Sequence, residues 1–137
     1  PRLVIDVVNA LVADGVPLDR IGLHMHDTRG TALANVLAGW QAGVRTFDGS
    51  VGGLGGCPYA PGAAGNAASD DLVQMFEAMG VSTGVNLDGL ANTGHFLARV
   101  LNRLLPGRFH QFHQGSGRAD DGSDPTVDAQ PGARSSA

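Results

Sequence analysis

The stretch IGLHMHDTRGTALANVLAGW, Ile21 to Trp40, changes its hydrophobic period partway along. Up to His26 the residues alternate: Ile21, Leu23 and Met25 fall on one side, Gly22, His24 and His26 on the other, which is the two-residue period of a strand. Leu33, Val36, Leu37 and Trp40 then follow the i, i+3, i+4, i+7 spacing of an amphipathic helix. Asp27 and Thr28 stand where an N-cap belongs, and Gly43 is placed to stop the helix. A strand running straight into a helix is half of a parallel βα unit, and in such folds functional side chains gather at the carboxyl ends of strands. His24 and His26 occupy that end.

Working outward, Pro1 opens a helical pattern that puts Leu3, Val7 and Leu11 on one face, with Gly15 at its close. Downstream, Val44 to Asp48 is expected as a second strand, followed by the glycine-rich VGGLGGCPYAPGAAGN, Val51 to Asn66. Ser69-Asp70-Asp71 starts a further helix with Leu72, Met75, Phe76 and Met79 inward and Gly80 at its end. A longer apolar pattern runs from about Leu87 to Leu105. From Gln114 to Ala137 large apolar side chains are almost lacking, so nothing there offsets the entropy of ordering, and a disordered tail is expected. The chain is thus an α/β domain over residues 1–113 with a tail at 114–137. Two or three strands are too few to close a barrel.

Composition narrows the function classes. At 42% hydrophobic and 16% charged the chain has the balance of a packed core. A net charge of −4, with nine arginines and no lysine, gives no basic patch with interleaved aromatics, so no nucleic-acid partner is expected. The longest uncharged stretch, Gly49 to Ser69, is too rich in glycine and proline to span a membrane, and no signal-peptide pattern opens the chain. A single cysteine forms no internal disulfide and fits a reducing, cytoplasmic setting.

Residues two apart on a strand face the same way, so His24 and His26 present their imidazoles side by side, within reach of one cation. The spacing also accommodates a core histidine next to a capping neighbour, and by itself does not choose. In the glycine-rich stretch Cys57 precedes Pro58, which restricts the cysteine to extended geometry and would hold its thiol out from the chain. A free thiol is more often buried and inert, but five glycines within six residues of Cys57 argue for an open, mobile loop. A dinucleotide fingerprint fails, since the sixth position counted from Gly53 is Pro58, and a P-loop fails for want of lysine.

Taken together, HMHDTRGTALAN, FDGSVGGLGGCPYAPGAAGN and SDDLVQMFEAMGVSTGVNLDGL closely resemble the carboxyl-terminal part of the 3-hydroxy-3-methylglutaryl-CoA lyase family, within the metal-dependent lyases and aldolases built on a TIM barrel. The resemblance runs from about Pro1 to Leu105, and GGLGGCP is its most specific segment, since related Claisen-type synthases carry HxHND and lack the cysteine loop. It implies the carboxyl-terminal part of a (β/α)8 barrel, incomplete in this chain. It also implies that His24, His26 and Asn66 ligate a divalent cation, Mg²⁺ or Mn²⁺, that His24 takes part in proton transfer, and that Cys57 is catalytic on a loop closing over an acyl-CoA. The complete enzyme is expected to split 3-hydroxy-3-methylglutaryl-CoA into acetyl-CoA and acetoacetate, and to be a homo-oligomer. The chemistry suits the set: a tertiary alcohol needs a cation to polarise it, a base for its proton, and an acid to quench the carbanion.

The family's first strand supplies an aspartate ligand and an arginine, and no position here corresponds to either. A whole barrel takes about 250 residues, so the chain is expected to begin after the fifth strand, as a fragment or the product of a truncated frame. Arg29 is read as a solvated side chain, and His95, His110 and His113 as surface or interface residues. Asp48 either orients the site or caps the loop. A lyase for another 3-hydroxy-acyl-CoA, or a non-catalytic remnant, is the alternative to the hydroxymethylglutaryl enzyme.

Overall fold

The structure, a computed structural model, describes residues 1–57 and 60–118. Helix α1 (Arg2–Ala13) leads through a 3-10 turn at Leu18–Arg20 into strand β1 (Gly22–His24), then α2 (Ala32–Gln41) and β2 (Thr46–Asp48). β1 and β2 are parallel, pairing Gly22 with Thr46, Leu23 with Phe47 and His24 with Asp48. The βα reading of Ile21 to Trp40 therefore holds, with the regular strands shorter than the alternation suggested. Past the turn at Val51–Gly53 come β3 (Gly56–Cys57) and β4 (Ala60–Ala64), antiparallel and bulged, then α3 (Ser69–Ala78), α4 (Leu87–Val100) and α5 (Arg108–Arg118).

Two apolar clusters hold these elements. Val8 of α1 packs with Ile21 and Val44. Ala32 and Val36 of α2 pack with Ala67 and with Leu72 and Phe76 of α3, and Phe47 of β2 touches both clusters. Burying each large aliphatic side chain of this kind stabilises the fold by about 1.5–3 kcal/mol. The inward face of α1 is not the one expected. Leu3 and Val7 are 77% and 56% exposed, while Val8 is 1% exposed and Val4 packs beside it. Met79, expected inward on α3, is 40% exposed.

The helix start at Asp27 is displaced. The turn at 28–30 delays α2 to Ala32, and Asp27 caps it from a distance, its Oδ1 accepting from the Ala32 N–H at 2.8 Å. The apolar run from Leu87 to Leu105 becomes α4 plus an irregular connection whose Leu105 is 1% exposed. Helix α5 continues to Arg118, past residue 114 where the tail was expected to begin, and residues 119–137 lie outside the described residues. Among the described residues no helix is long and apolar enough to cross a membrane.

Candidate metal and loop site

The segment 65–68 returns across the ends of both strands and brings the loop's far end to the histidines. The Asp27 N–H donates to the Gly65 carbonyl at 2.7 Å, and the Ala67 N–H to the Met25 carbonyl at 2.9 Å. On its other side the Ser50 N–H donates to the Ala67 carbonyl at 2.9 Å. His26 and Asn66 thus face each other as a bridge pair.

The ring centroids of His24 and His26 lie 5.2 Å apart. Nδ1 of His24 donates to Oδ1 of Asp48 at 2.7 Å, directly across the β1–β2 pairing. A carboxylate on Nδ1 fixes the ring's tautomer and leaves Nε2 as the lone-pair donor, the arrangement common behind metal-ligating histidines. Asp48, left open between two roles by the sequence, is therefore the residue that orients His24. Asn66 donates through Nδ2 to the Leu54 carbonyl at 2.9 Å, which leaves its Oδ1 as the acceptor. Two imidazole nitrogens and an amide oxygen are a donor set that fits a divalent first-row cation or Mg²⁺. Among the described residues no three His, Cys, Asp or Glu side chains are grouped so as to hold a metal ion.

Backbone strands place Cys57 at the first turn of the hairpin, paired with Ala60. Pro58 and the Cys57 side chain, to which the sequence assigned an outward thiol, lie outside the described residues. The loop's first glycines do something other than loosen it. Gly52 and Gly53 are buried at φ +58° and +74°, and a Cβ on Gly52 would run into the Leu105 side chain. That base is packed.

Sequence reasoning took Ser69-Asp70-Asp71 as a helix start and missed what the two carboxylates reach. Asp70, 1% exposed, accepts from the Gly52 N–H at 2.7 Å. Asp71 accepts from the Arg108 and Phe109 amides at 2.9 and 2.6 Å, and so seats the first turn of α5. Burial pushes the Asp71 carboxyl above its ordinary value; the two amide bonds pull it down, and Asp70 and Asp27 push it up. Acidic pairs at a helix start are the only sequence signal of this arrangement. A cleft of about 340 Å³ runs from Asn66 past Gly53 to Gly107 and Arg108. A second cavity of about 490 Å³, lined by Phe47, Asp48 and Phe76 among others, contains neither histidine. Arg29 is exposed, as expected.

The family described as HMGL-like matches residues 1–97. The chain belongs to the HMGL-like family. Over 116 residues it is 47% identical to the hydroxymethylglutaryl-CoA lyase YngG of Bacillus subtilis, covering 85% of this chain and 38% of that protein. It is 50% identical over 111 residues to the human mitochondrial hydroxymethylglutaryl-CoA lyase, covering 81% of this chain and 34% of the relative. It is also 47% identical over 95 residues to an (R)-citramalyl-CoA lyase of Chloroflexus aurantiacus, covering 69% and 30%. A crystal structure of the B. subtilis HMG-CoA lyase superposes with a TM-score of 0.78 at 48% identity, covering 81% of this chain and 37% of that one. An HMG-CoA lyase from Acinetobacter baumannii in complex with coenzyme A and 3-methylmalate superposes with a TM-score of 0.71 at 37% identity, covering 93% and 38%. The HMGL-like chain thus spans about a third of the length of its curated relatives, as an incomplete α/β barrel.

Proposed function

We propose that this chain is the carboxyl-terminal part of a carbon-carbon lyase whose complete form cleaves 3-hydroxy-3-methylglutaryl-CoA to acetyl-CoA and acetoacetate. The observation that carries the reading is the His24–Asp48 pair facing the His26–Asn66 bridge at the carboxyl ends of two parallel strands, in a chain about 50% identical to such lyases. His24, His26 and Asn66 would hold Mg²⁺ or Mn²⁺, which when bound supplies the charge that polarises the substrate's hydroxyl and carboxylate. His24, fixed by Asp48, helps carry the hydroxyl proton away. As the bond between C2 and C3 breaks, its electron pair stays on C2, and the Cys57 thiol gives its proton there, leaving a thiolate. The hairpin carrying Cys57 closes over the acyl-CoA and excludes water. Residues 1–113 form the barrel part. The remaining ligands come from the amino-terminal strands, the complete enzyme is a cytoplasmic homo-oligomer, and the chain alone is inactive.

The test joins this chain to the amino-terminal half of a relative and follows acetoacetate release with Mg²⁺. The expected outcome is turnover that stops with a chelator, a Cys57→Ser variant with kcat about 10²-fold lower or worse and KM little changed, and no release from the 137-residue chain alone. A joined enzyme with undiminished turnover after Cys57→Ser would return the thiol to a structural role. The similarity to an (R)-citramalyl-CoA lyase favours a second reading, another 3-hydroxy-acyl-CoA as substrate. Running both thioesters in the same assay decides between them.

A further inference from the structure

The corner where α4 meets α5 holds three histidines that the proposed chemistry does not use. The ring centroid of His95 on α4 lies 4.8 Å from that of His110 and 5.3 Å from that of His113, both on α5. His110 is 1% exposed. Its ring lies on the backbone of α4 at Gly94, where an added Cβ would stand 2.6 Å from His110 Nδ1. Nε2 of His95 and Nδ1 of His113 are buried and meet no hydrogen-bond partner among the described residues. Expected as surface or interface residues, the three form one packed group between α4 and α5.

The same corner grips the base of the cysteine loop. The Gly107 N–H, next to the start of α5, donates to the Gly52 carbonyl at 2.8 Å. The Gly52 N–H donates to Asp70 at 2.7 Å. Leu105 and Pro106 fill the space that side chains at Gly52 and Gly53 would need. The seat of α5 and the amino-terminal hinge of the loop are therefore one unit.

We propose that His95, His110 and His113 form an acid-sensitive latch: with neutral rings α5 stays seated on α4 and holds Gly52 in place, and with charged rings α5 loosens and frees the hinge of the cysteine loop. Three imidazoles this close cannot all carry charge without strong mutual repulsion. Arg99 on α4 adds like charge near His95, and Asp70 on α3 is the anion facing His110. Burial, then the charges of His110, His113 and Arg99, hold His95 below its ordinary value of 6.5. Burial likewise holds His110 below 6.5, with Asp70 pulling it up and His113 pushing it down. When α5 loosens, both rings return toward the ordinary value, so the released state binds more protons. The seat is at full strength above that value and weakens as pH falls below it.

The latch rests on the proposed lyase reading only for what the loop does once freed, so its test needs no turnover. Amide exchange in the 137-residue chain is followed by NMR between about pH 7.5 and about pH 5, corrected for intrinsic rates, together with the histidine ring resonances. Protection of the Gly52 and Gly107 amides is expected to fall severalfold in step with the His95 and His110 titrations. A His95→Asn, His113→Asn variant keeps His110 packed on Gly94 but removes the repulsion, and the acid-dependent fall should shrink severalfold. His24→Gln, at the other histidine group, should leave it unchanged. Constant protection over the range, a full fall in the double variant, or a fall abolished by His24→Gln would each overturn the latch.

Discussion

The His24 side chain is 50% exposed, and its Nδ1 is held by the carboxylate of a still more open Asp48. His110 is 1% exposed, lies on the backbone of a helix, and packs against the His95 imidazole. One group is built so that a ring nitrogen is presented to something from outside, the other so that the rings fill space within. The contrast lies in what surrounds each ring. A carboxylate behind an accessible imidazole raises its basicity toward a cation, whereas packing among like groups favours the neutral ring. Substitutions should therefore separate the two: changes at the corner should act on stability and on the seating of the loop, and changes at the strand ends should act on cation affinity.

The largest effect is expected at Gly52, where the corner meets the loop. Alanine there must adopt φ +58° and drive a methyl into Leu105. The backbone cost is about 1–2 kcal/mol and overpacking adds about 1–3 kcal/mol. Gly30→Ala, at φ +69° with nothing within 4 Å, carries the backbone cost alone. Urea unfolding of the two variants should show Gly52→Ala the less stable by the overpacking amount. Coincident midpoints would mean that the corner does not grip the loop base.

The strand faces of this contrast were legible in the sequence because alternation at Ile21, Leu23 and Met25 leaves only one inward side. The ligand role expected of Asn66 and the catalytic role expected of Cys57 rest on resemblance rather than on spacing. The inward face of α1 was not legible, for Leu3, Val4, Ile5, Val7, Val8, Leu11 and Val12 make it apolar nearly all round, and periodicity cannot select a face when most positions qualify. His110 and His113 share a helix face by their spacing, but their meeting with His95 depends on how α5 folds back on α4 through residues 101–107. Nothing local records that. The carboxylates of Asp70 and Asp71 were hidden in the same way, since their partners Gly52, Arg108 and Phe109 are far away in the chain.

A second way to break the comparison is to titrate Mn²⁺ into the complete enzyme, with this chain joined to a homologous amino-terminal half. His26→Ala should weaken binding by about tenfold to a hundredfold or more, since a lost ligand costs at least what a lost supporting partner does. His110→Gln in the same enzyme should leave the affinity where it was. If His26→Ala binds Mn²⁺ as tightly as the parent, the strand-end histidines belong with the packing group after all, and the contrast collapses.

The smallest effect, and the sharpest for the contrast, is expected at Asp48. Its Oδ1 accepts from His24 Nδ1 at 2.7 Å, and in Asp48→Asn the amide oxygen can accept the same hydrogen bond, so the ring should keep its orientation. What changes is charge: a neutral acceptor no longer supports electron density at Nε2. Cation affinity in the joined enzyme should drop by about tenfold, the low end for a supporting partner. Asp48→Ala removes the orientation as well and should cost more. Stability should hardly move in either variant, because the His24 side chain is half exposed and Asp48 is 69% exposed, and exposed pairs of this kind contribute about 0–1 kcal/mol. Mn²⁺ titration beside urea unfolding separates the two readouts. A loss of stability with cation affinity intact would show that Asp48 caps the loop, and that His24 owes its position to packing, as His110 does.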